Sequence, residues 1–228
     1  GHTARNGTGP VSGEAYKAWT SGYTGFNLNN VYGHDDIDDA AGLAAAAYGR
    51  SGYPFFLIEA GYENTDGNDV CGIVPAIQTV LRGGLAGWFG GHDALWHMGS
   101  YTPATGAAAA LSTYLSASWK AHQALGALLR AYAWSKLRPR TDSTLVTTSK
   151  GSGAATICPA LADDGSFALV WSPGGSLTVN MAALALTNVR ARWWNWDSGY
   201  SAIGTFSNSG TRLFTPPSGY RILVLDAA

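Results

Sequence analysis

The chain has 228 residues, a net charge of −1 and only 13% charged residues. This length suits one large domain or two smaller ones, and the near-neutral charge argues against a nucleic-acid or anionic-membrane partner. No apolar run reaches the roughly 20 residues that span a bilayer, so we expect no membrane-spanning segment.

Up to about residue 140, short apolar runs alternate with Ala-rich helical stretches. In chain order they are "GFNLNNVYG", "DDAAGLAAAAYG", "YPFFLIEAG", "IVPAIQTVLRGG", "LAGWFGG" and a helical span over about 113–134. Strands that alternate with helices are typical of βα units in a parallel sheet. We therefore predict an α/β domain over residues 1–140.

The pattern changes after "KLRPRTD". Short runs rich in Val, Leu, Ile, Thr and Phe follow, separated by the turn signals "DDGS", "PGGS", "SNSG" and "PPSG". About six or seven strands of this kind indicate an antiparallel β-sandwich, which we assign to residues 141–228. Alternation along "RARWWNWDSGY" places Trp193 on one face and Trp194 with Trp196 on the other, so at least part of this aromatic cluster should be core.

The run from Pro54 to Ile58 ends in a carboxylate, Glu59. In parallel α/β folds the catalytic groups lie at the carboxyl ends of the strands. A rigid strand that ends in Glu suits a catalytic base or nucleophile. A solvated Glu at a strand end fits this stretch equally well, so both interpretations stay open here.

Neither a metal nor a cofactor is expected. "HDALWH" differs from the "HExxH" pattern of zinc sites. Cys71 and Cys158 are the only cysteines and lie in different halves of the chain, which favours two separate thiols over a disulfide framework.

Three motifs in the first part resemble the apiosidase-like glycoside hydrolases. "IEAGYEN" is similar to that family's "GEPxYE", and "GGLAGWFGGHDALW" and "GFNLNNVYGH" are similar to two further stretches. The matching positions are Phe26, Asn27, Gly33, His34, Glu59, Tyr62, Glu63, Gly84, Gly87, Gly91, His92 and Trp96. Ala60 and Trp88 depart from the family pattern. The C-terminal part resembles the β-sandwich that follows the barrel in that family and is often labelled a collagen-binding domain.

This resemblance implies the C-terminal half of a (β/α)₈ TIM barrel followed by an antiparallel β-sandwich. Strand six would cover 26–32, strand seven 55–59 and strand eight 85–90. A half barrel exposes two long hydrophobic edges, and closure needs all eight strands. We therefore expect an N-terminal chain or segment as the partner that completes the barrel.

The resemblance also implies a retaining mechanism, in which two carboxyl groups about 5 to 5.5 Å apart act as nucleophile and acid/base. Glu59 would be the nucleophile, and the acid/base would come from strand four, outside this chain. The residues expected to bind the substrate are Asn27, His34, Tyr62, Glu63, His92 and Trp96. For Tyr62 a half-buried aromatic role, and for Trp96 a core role, are equally open.

Two classes of function follow. The first is a glycoside hydrolase acting on a plant or microbial polysaccharide, with apiose-containing pectin side chains as the nearest family substrate. The alternative is a non-catalytic carbohydrate-binding or structural, particle-associated protein on a degenerate glycosidase scaffold. Either would be secreted, on the cell surface or periplasmic.

Overall fold

The computed structural model describes residues 29–32, 40–50, 55–59, 72–90, 117–218 and 221–228. Its helices are α1 (Ala40–Arg50), α2 (Ile73–Leu81) and α3 (Ala117–Arg130). Its strands are β1 (Asn29–Tyr32), β2 (Phe55–Glu59), β3 (Leu137–Pro139), β4 (Cys158–Ala162), β5 (Ala168–Ser172), β6 (Leu177–Asn180), β7 (Asn188–Asn195), β8 (Gly199–Ser207), β9 (Thr211–Phe214) and β10 (Arg221–Ala227).

Six of the strands form one antiparallel sheet in the order β3-β4-β5-β10-β7-β8. The almost unbroken apolar run of β10, "RILVLDA", fits its place between β5 and β7, because a strand covered on both faces needs no polar side. β6 and β9 pair antiparallel as a separate two-stranded sheet. The β-rich architecture predicted for the C-terminal part is therefore present.

The two faces of the six-stranded sheet carry two different cores, because side chains alternate along each strand. On one face Leu169, Trp171 and Val224 pack with residues of α2 and α3. On the other face Val170 and Leu223 pack with β6 and β9. The sheet is thus the middle of three layers, with helices on one side and the two-stranded sheet on the other.

The aromatic cluster of β7 follows this alternation. Trp193 lies in the core shared with β6 and β9, while Trp194 lies in the core shared with the helices and the half-buried Trp196 packs against it. Trp193 and Trp194 are both buried. The prediction that part of this cluster is core is confirmed, and these two rings offer no open platform for a ligand.

α2 joins the two parts of the described chain. All but one of its residues are buried, since it packs against β2 on one side and against β4 and β5 on the other. α3 buries a single stripe formed by Ser118, Ala121, Leu125, Leu128 and Leu129. The described architecture is mostly antiparallel sheet with a few helices. The predicted boundary at residue 140 stays a prediction, while β3, just before it, pairs with β4.

Candidate functional site

A short parallel ladder brings together the three segments predicted as neighbouring strands. β1 pairs parallel with β2, and residues 86–89, here called the Trp88 segment, lie parallel to β2 on its other side. The Leu57 amide donates to the Gly87 carbonyl at 3.1 Å, and the Phe89 amide donates to the Leu57 carbonyl at 2.9 Å. The order along the sheet is the order expected from the sequence, with β2 in the middle.

β2 contains a β-bulge directly before its last residue. Val31 pairs with Leu57, but the next residue of β1, Tyr32, pairs with Glu59, so that Ile58 is an extra residue. A bulge changes the alternation of the residues beyond it and is over-represented next to active sites. The backbone irregularity therefore falls at the position where the sequence predicts the catalytic carboxylate.

The two faces of the ladder differ in how well they are covered. Phe55 and Leu57 are fully buried with residues of α1. On the opposite face the rings of Phe56 and Phe89 meet edge to face, with centroids 5.7 Å apart, and Phe89 is 61% exposed. In a closed barrel this opposite face would be the packed interior.

Of the predicted site residues, the structure describes only Glu59. Glu59 is the last residue of β2, at the carboxyl end of the ladder, as predicted. The other predicted site residues lie outside the described residues: Asn27, His34, Tyr62, Glu63, His92 and Trp96. Their roles, and the catalytic role of Glu59, therefore stay predictions.

A tryptophan and histidine pair lies one strand away from Glu59 and was not foreseen. The indole Nε1–H of Trp88 donates to Nδ1 of His122 in α3 at 2.8 Å. Because Nδ1 accepts this bond, a neutral imidazole carries its proton on Nε2. Nε2 is buried and has no hydrogen-bond partner among the residues that the structure describes. Burial lowers the pKa of His122 to about 4.

Gly90, two residues after Trp88, packs against the same imidazole. A Cβ at position 90 would lie 2.8 Å from Nε2 of His122, too close for any side chain. The packing of His122 is a sufficient reason for glycine at this position.

A charged cluster fixes α3 to the six-stranded sheet. Asp226 of β10 accepts from Arg190 at 3.0 Å, from Arg192, and from the hydroxyl of Tyr132, just after α3, at 2.7 Å. Burial opposes the charge of Asp226, but the hydrogen bonds from Arg190 and Tyr132 and the charge of Arg192 outweigh it and lower its pKa. Burial, followed by the bond to Asp226, raises the pKa of Tyr132 far above its usual range.

This cluster is a structural element. Its carboxylate is already shared among three donors, and the guanidinium of Arg192 also stacks on Tyr200, 4.0 Å from the ring centroid. The local sequence pattern does not predict this cluster, because its three donors lie 34 to 94 residues from Asp226 along the chain.

In the part of the chain that the structure describes, no group of three or more His, Cys, Asp or Glu side chains could hold a metal ion. The helices of that part also include none that is long and apolar enough to cross a membrane. Cys158 is a buried free thiol whose pKa burial raises to about 11, so it is protonated near neutral pH.

Comparison with known proteins finds a family that matches the C-terminal part of the chain and solved structures with a similar fold. Residues 141–226 match the family described as "Putative collagen-binding domain of a collagenase". A glycoside hydrolase family 5 protein from Bacteroides vulgatus is similar in structure, with a TM-score of 0.70 and 17% identity over 83% of this chain and 45% of that protein. Another structure, named only as a glycoside hydrolase, has a TM-score of 0.67 and 18% identity over 84% and 46%.

No curated protein matches the chain. The chain spans less than half the length of either glycoside hydrolase. At this level of identity the likeness concerns the fold, so the chain has the fold of a part of these glycoside hydrolase chains.

Proposed function

We propose that this chain carries one half of the active site of a retaining glycoside hydrolase, with Glu59 as the nucleophile. The observation that carries the proposal is the position of Glu59, which ends the middle strand of a three-segment parallel ladder directly after a β-bulge. The glycoside hydrolase fold of the structural neighbours supports the same function. The acid/base of the pair comes from outside this chain.

The substrate class is a plant or microbial polysaccharide, with apiose-containing glycans as the first candidates. This choice follows the motif resemblance around Glu59, Tyr62, Glu63 and His92. The six substrate-binding positions keep the roles expected from the sequence. The proposed location is extracellular, on the cell surface or periplasmic.

The partner is a segment or chain that supplies the first strands of the barrel. Two observations support it: Phe89 lies 61% exposed on the face that a closed barrel buries, and the match with this chain covers only 45% and 46% of the two structural neighbours. Joining the two halves would cover the Phe56 and Phe89 rings and complete the carboxylate pair.

The test uses the complete enzyme, meaning this chain together with the polypeptide that supplies the remaining strands. A panel of aryl glycosides, including the apioside, first identifies a sugar that is hydrolysed. Glu59→Gln should then fold normally and lose turnover by several orders of magnitude, as expected when a residue of a catalytic unit is removed. Asp197→Asn, at an exposed turn of the sandwich, is the matched control that also removes one carboxylate charge.

Chemical rescue separates a nucleophile from a residue that only supports folding. In Glu59→Ala, added azide can attack the anomeric carbon from the vacated side, so activity should return and the product should be a glycosyl azide of inverted configuration. Turnover of Glu59→Gln equal to that of the Asp197 variant would rule out the nucleophile role.

A binding function is the second candidate, because the family matched over residues 141–226 is described as a putative collagen-binding domain. A binding function predicts that the chain binds to immobilised collagen or polysaccharide and hydrolyses none of the aryl glycosides. The burial of Trp193 and Trp194 removes the most obvious sugar platform. Equilibrium binding to collagen and to pectin, compared with bovine serum albumin as a control, distinguishes the two candidates.

A further inference from the structure

The contact between Trp88 and His122 joins the parallel ladder to α3. Trp88 lies in the parallel ladder, where it pairs with Leu57, two residues before Glu59. His122 lies on α3, which packs on the six-stranded sheet. Their 2.8 Å hydrogen bond links the ladder to the helix, and the imidazole also fills the space beside Gly90.

The bond works in only one protonation state of His122. Trp offers a donor and no acceptor, so the histidine must present an unprotonated nitrogen to it. Protonation would place N–H against N–H and add a charge in a place where Nε2 has no partner. Loss of the bond therefore follows directly from the geometry once the imidazole gains a proton.

We propose that the Trp88 and His122 pair is an acid-sensitive joint that holds the Trp88 segment on α3 and releases it when His122 is protonated. The joint is independent of the glycosidase proposal, although its release would disturb the strand next to Glu59. The low pKa of His122, about 4, places the release on the acid side of neutrality.

Few charged groups act on the imidazole in the described elements packed around it. α3 carries Lys120 and Arg130, residues 82–90 carry Arg82, and α2 carries no charged residue. None of these groups is hydrogen-bonded to His122, and burial accounts for its lowered pKa. The joint is therefore controlled by the protonation of one side chain.

Nuclear magnetic resonance of the full chain with ¹⁵N-labelled tryptophan tests the proposal. Trp88→Phe assigns the Trp88 indole among the nine tryptophans. As the pH falls from 7, that signal should move upfield with a midpoint near pH 4, together with the titration of the His122 ring. The indole signals of Trp171 and Trp194, in the core of the sheet, should stay in place over the same range.

His122→Asn is the matched variant, because its amide oxygen can accept the Trp88 bond but does not titrate. In it, the acid-dependent shift of Trp88 should disappear. If this variant does not fold, the ¹³C signal of the His122 ring in the natural chain decides. A midpoint at or above about 6.5, the ordinary value for histidine, would overturn the proposal.

Gly90→Ala tests the joint without changing Trp88 or His122. The added Cβ would lie 2.8 Å from Nε2 and should push the imidazole away, so the Trp88 signal should stand at its acid position already at pH 7. Two results would overturn the proposal: a Trp88 shift that persists unchanged in His122→Asn, or indole signals of the sheet that move with the same midpoint, which indicates general unfolding.

Discussion

The antiparallel sheet and the parallel ladder of this chain differ in how completely they are enclosed. The six-stranded sheet is covered on both faces, by α2 and α3 on one side and by β6 and β9 on the other. The ladder is covered by α1 on one face, while Phe89 stands 61% exposed on the other. The sheet is therefore enclosed on both faces, whereas the ladder keeps an exposed aromatic side chain on one face.

The difference bears on function. Buried apolar faces stabilise a fold, whereas an exposed apolar patch beside polar residues is typical of an interaction surface. In a barrel the catalytic carboxylates lie at the carboxyl end of such a ladder, which is where Glu59 ends β2. We therefore attribute stability mainly to the sheet and the proposed chemistry to the ladder.

Trp171→Ala should cause the largest loss of stability. Trp171 is fully buried in the core between the sheet and the helices, and removing an indole from such a site costs about 3–5 kcal/mol. Denaturant unfolding followed by circular dichroism measures the loss. Trp134→Ala is the control, because that side chain is exposed. Equal losses in the two variants would contradict the description of the sheet as the enclosed core.

Asp226→Asn should have the second largest effect, about 2–3 kcal/mol after allowance for the partial exposure of its partners. The change leaves Arg190 and Arg192 without their carboxylate. Asp164→Asn, which removes an exposed ion pair with Lys136, should cost much less in the same unfolding assay. Similar losses would show that the buried cluster does not fasten α3 to the sheet.

The Asp226 contribution also has a defined pH dependence. Its folded pKa is lowered, so the stabilisation is fully present above the unfolded pKa of about 3.9 and is lost as the pH falls below it. The difference in unfolding free energy between the natural chain and Asp226→Asn should therefore shrink below about pH 4. A constant difference down to pH 2 would contradict this account.

Phe89→Ser should have the smallest effect on this chain alone. Since the ring is mostly exposed, the unfolding free energy should change by less than about 0.5 kcal/mol. Mixed with the polypeptide that completes the barrel, the same variant should bind at least about tenfold more weakly, as expected for an aromatic anchor. Isothermal titration calorimetry measures the affinity, and unchanged binding would remove Phe89 from the joining surface.

The sequence predicted the elements better than the contacts between them. β2 has the bounds that the family resemblance implied, Phe55–Glu59, and it covers most of the apolar run from Pro54 to Ile58. About six or seven strands were expected after residue 140, and seven follow it in the described part. β3 was not recognised, because the short "LRP" with its proline resembles a linker.

The contacts that join distant segments could not be predicted. His122 meets Trp88 across 34 residues, and Asp226 meets Tyr132 across 94. Nothing in the local pattern of α3 distinguishes His122 from an ordinary half-exposed histidine. The residues of the proposed site were assigned from their resemblance to family motifs. Of these residues, the structure describes only the backbone of Glu59.

Covalent labelling of the complete enzyme tests whether Glu59 is the nucleophile. A 2-deoxy-2-fluoro glycoside of the sugar that the enzyme hydrolyses slows the second step of a retaining reaction, so the sugar stays attached to the nucleophile. Peptide mass spectrometry should then find one label, on Glu59. A label on another carboxylate, or no hydrolysis and no label across the sugar panel, would contradict the account.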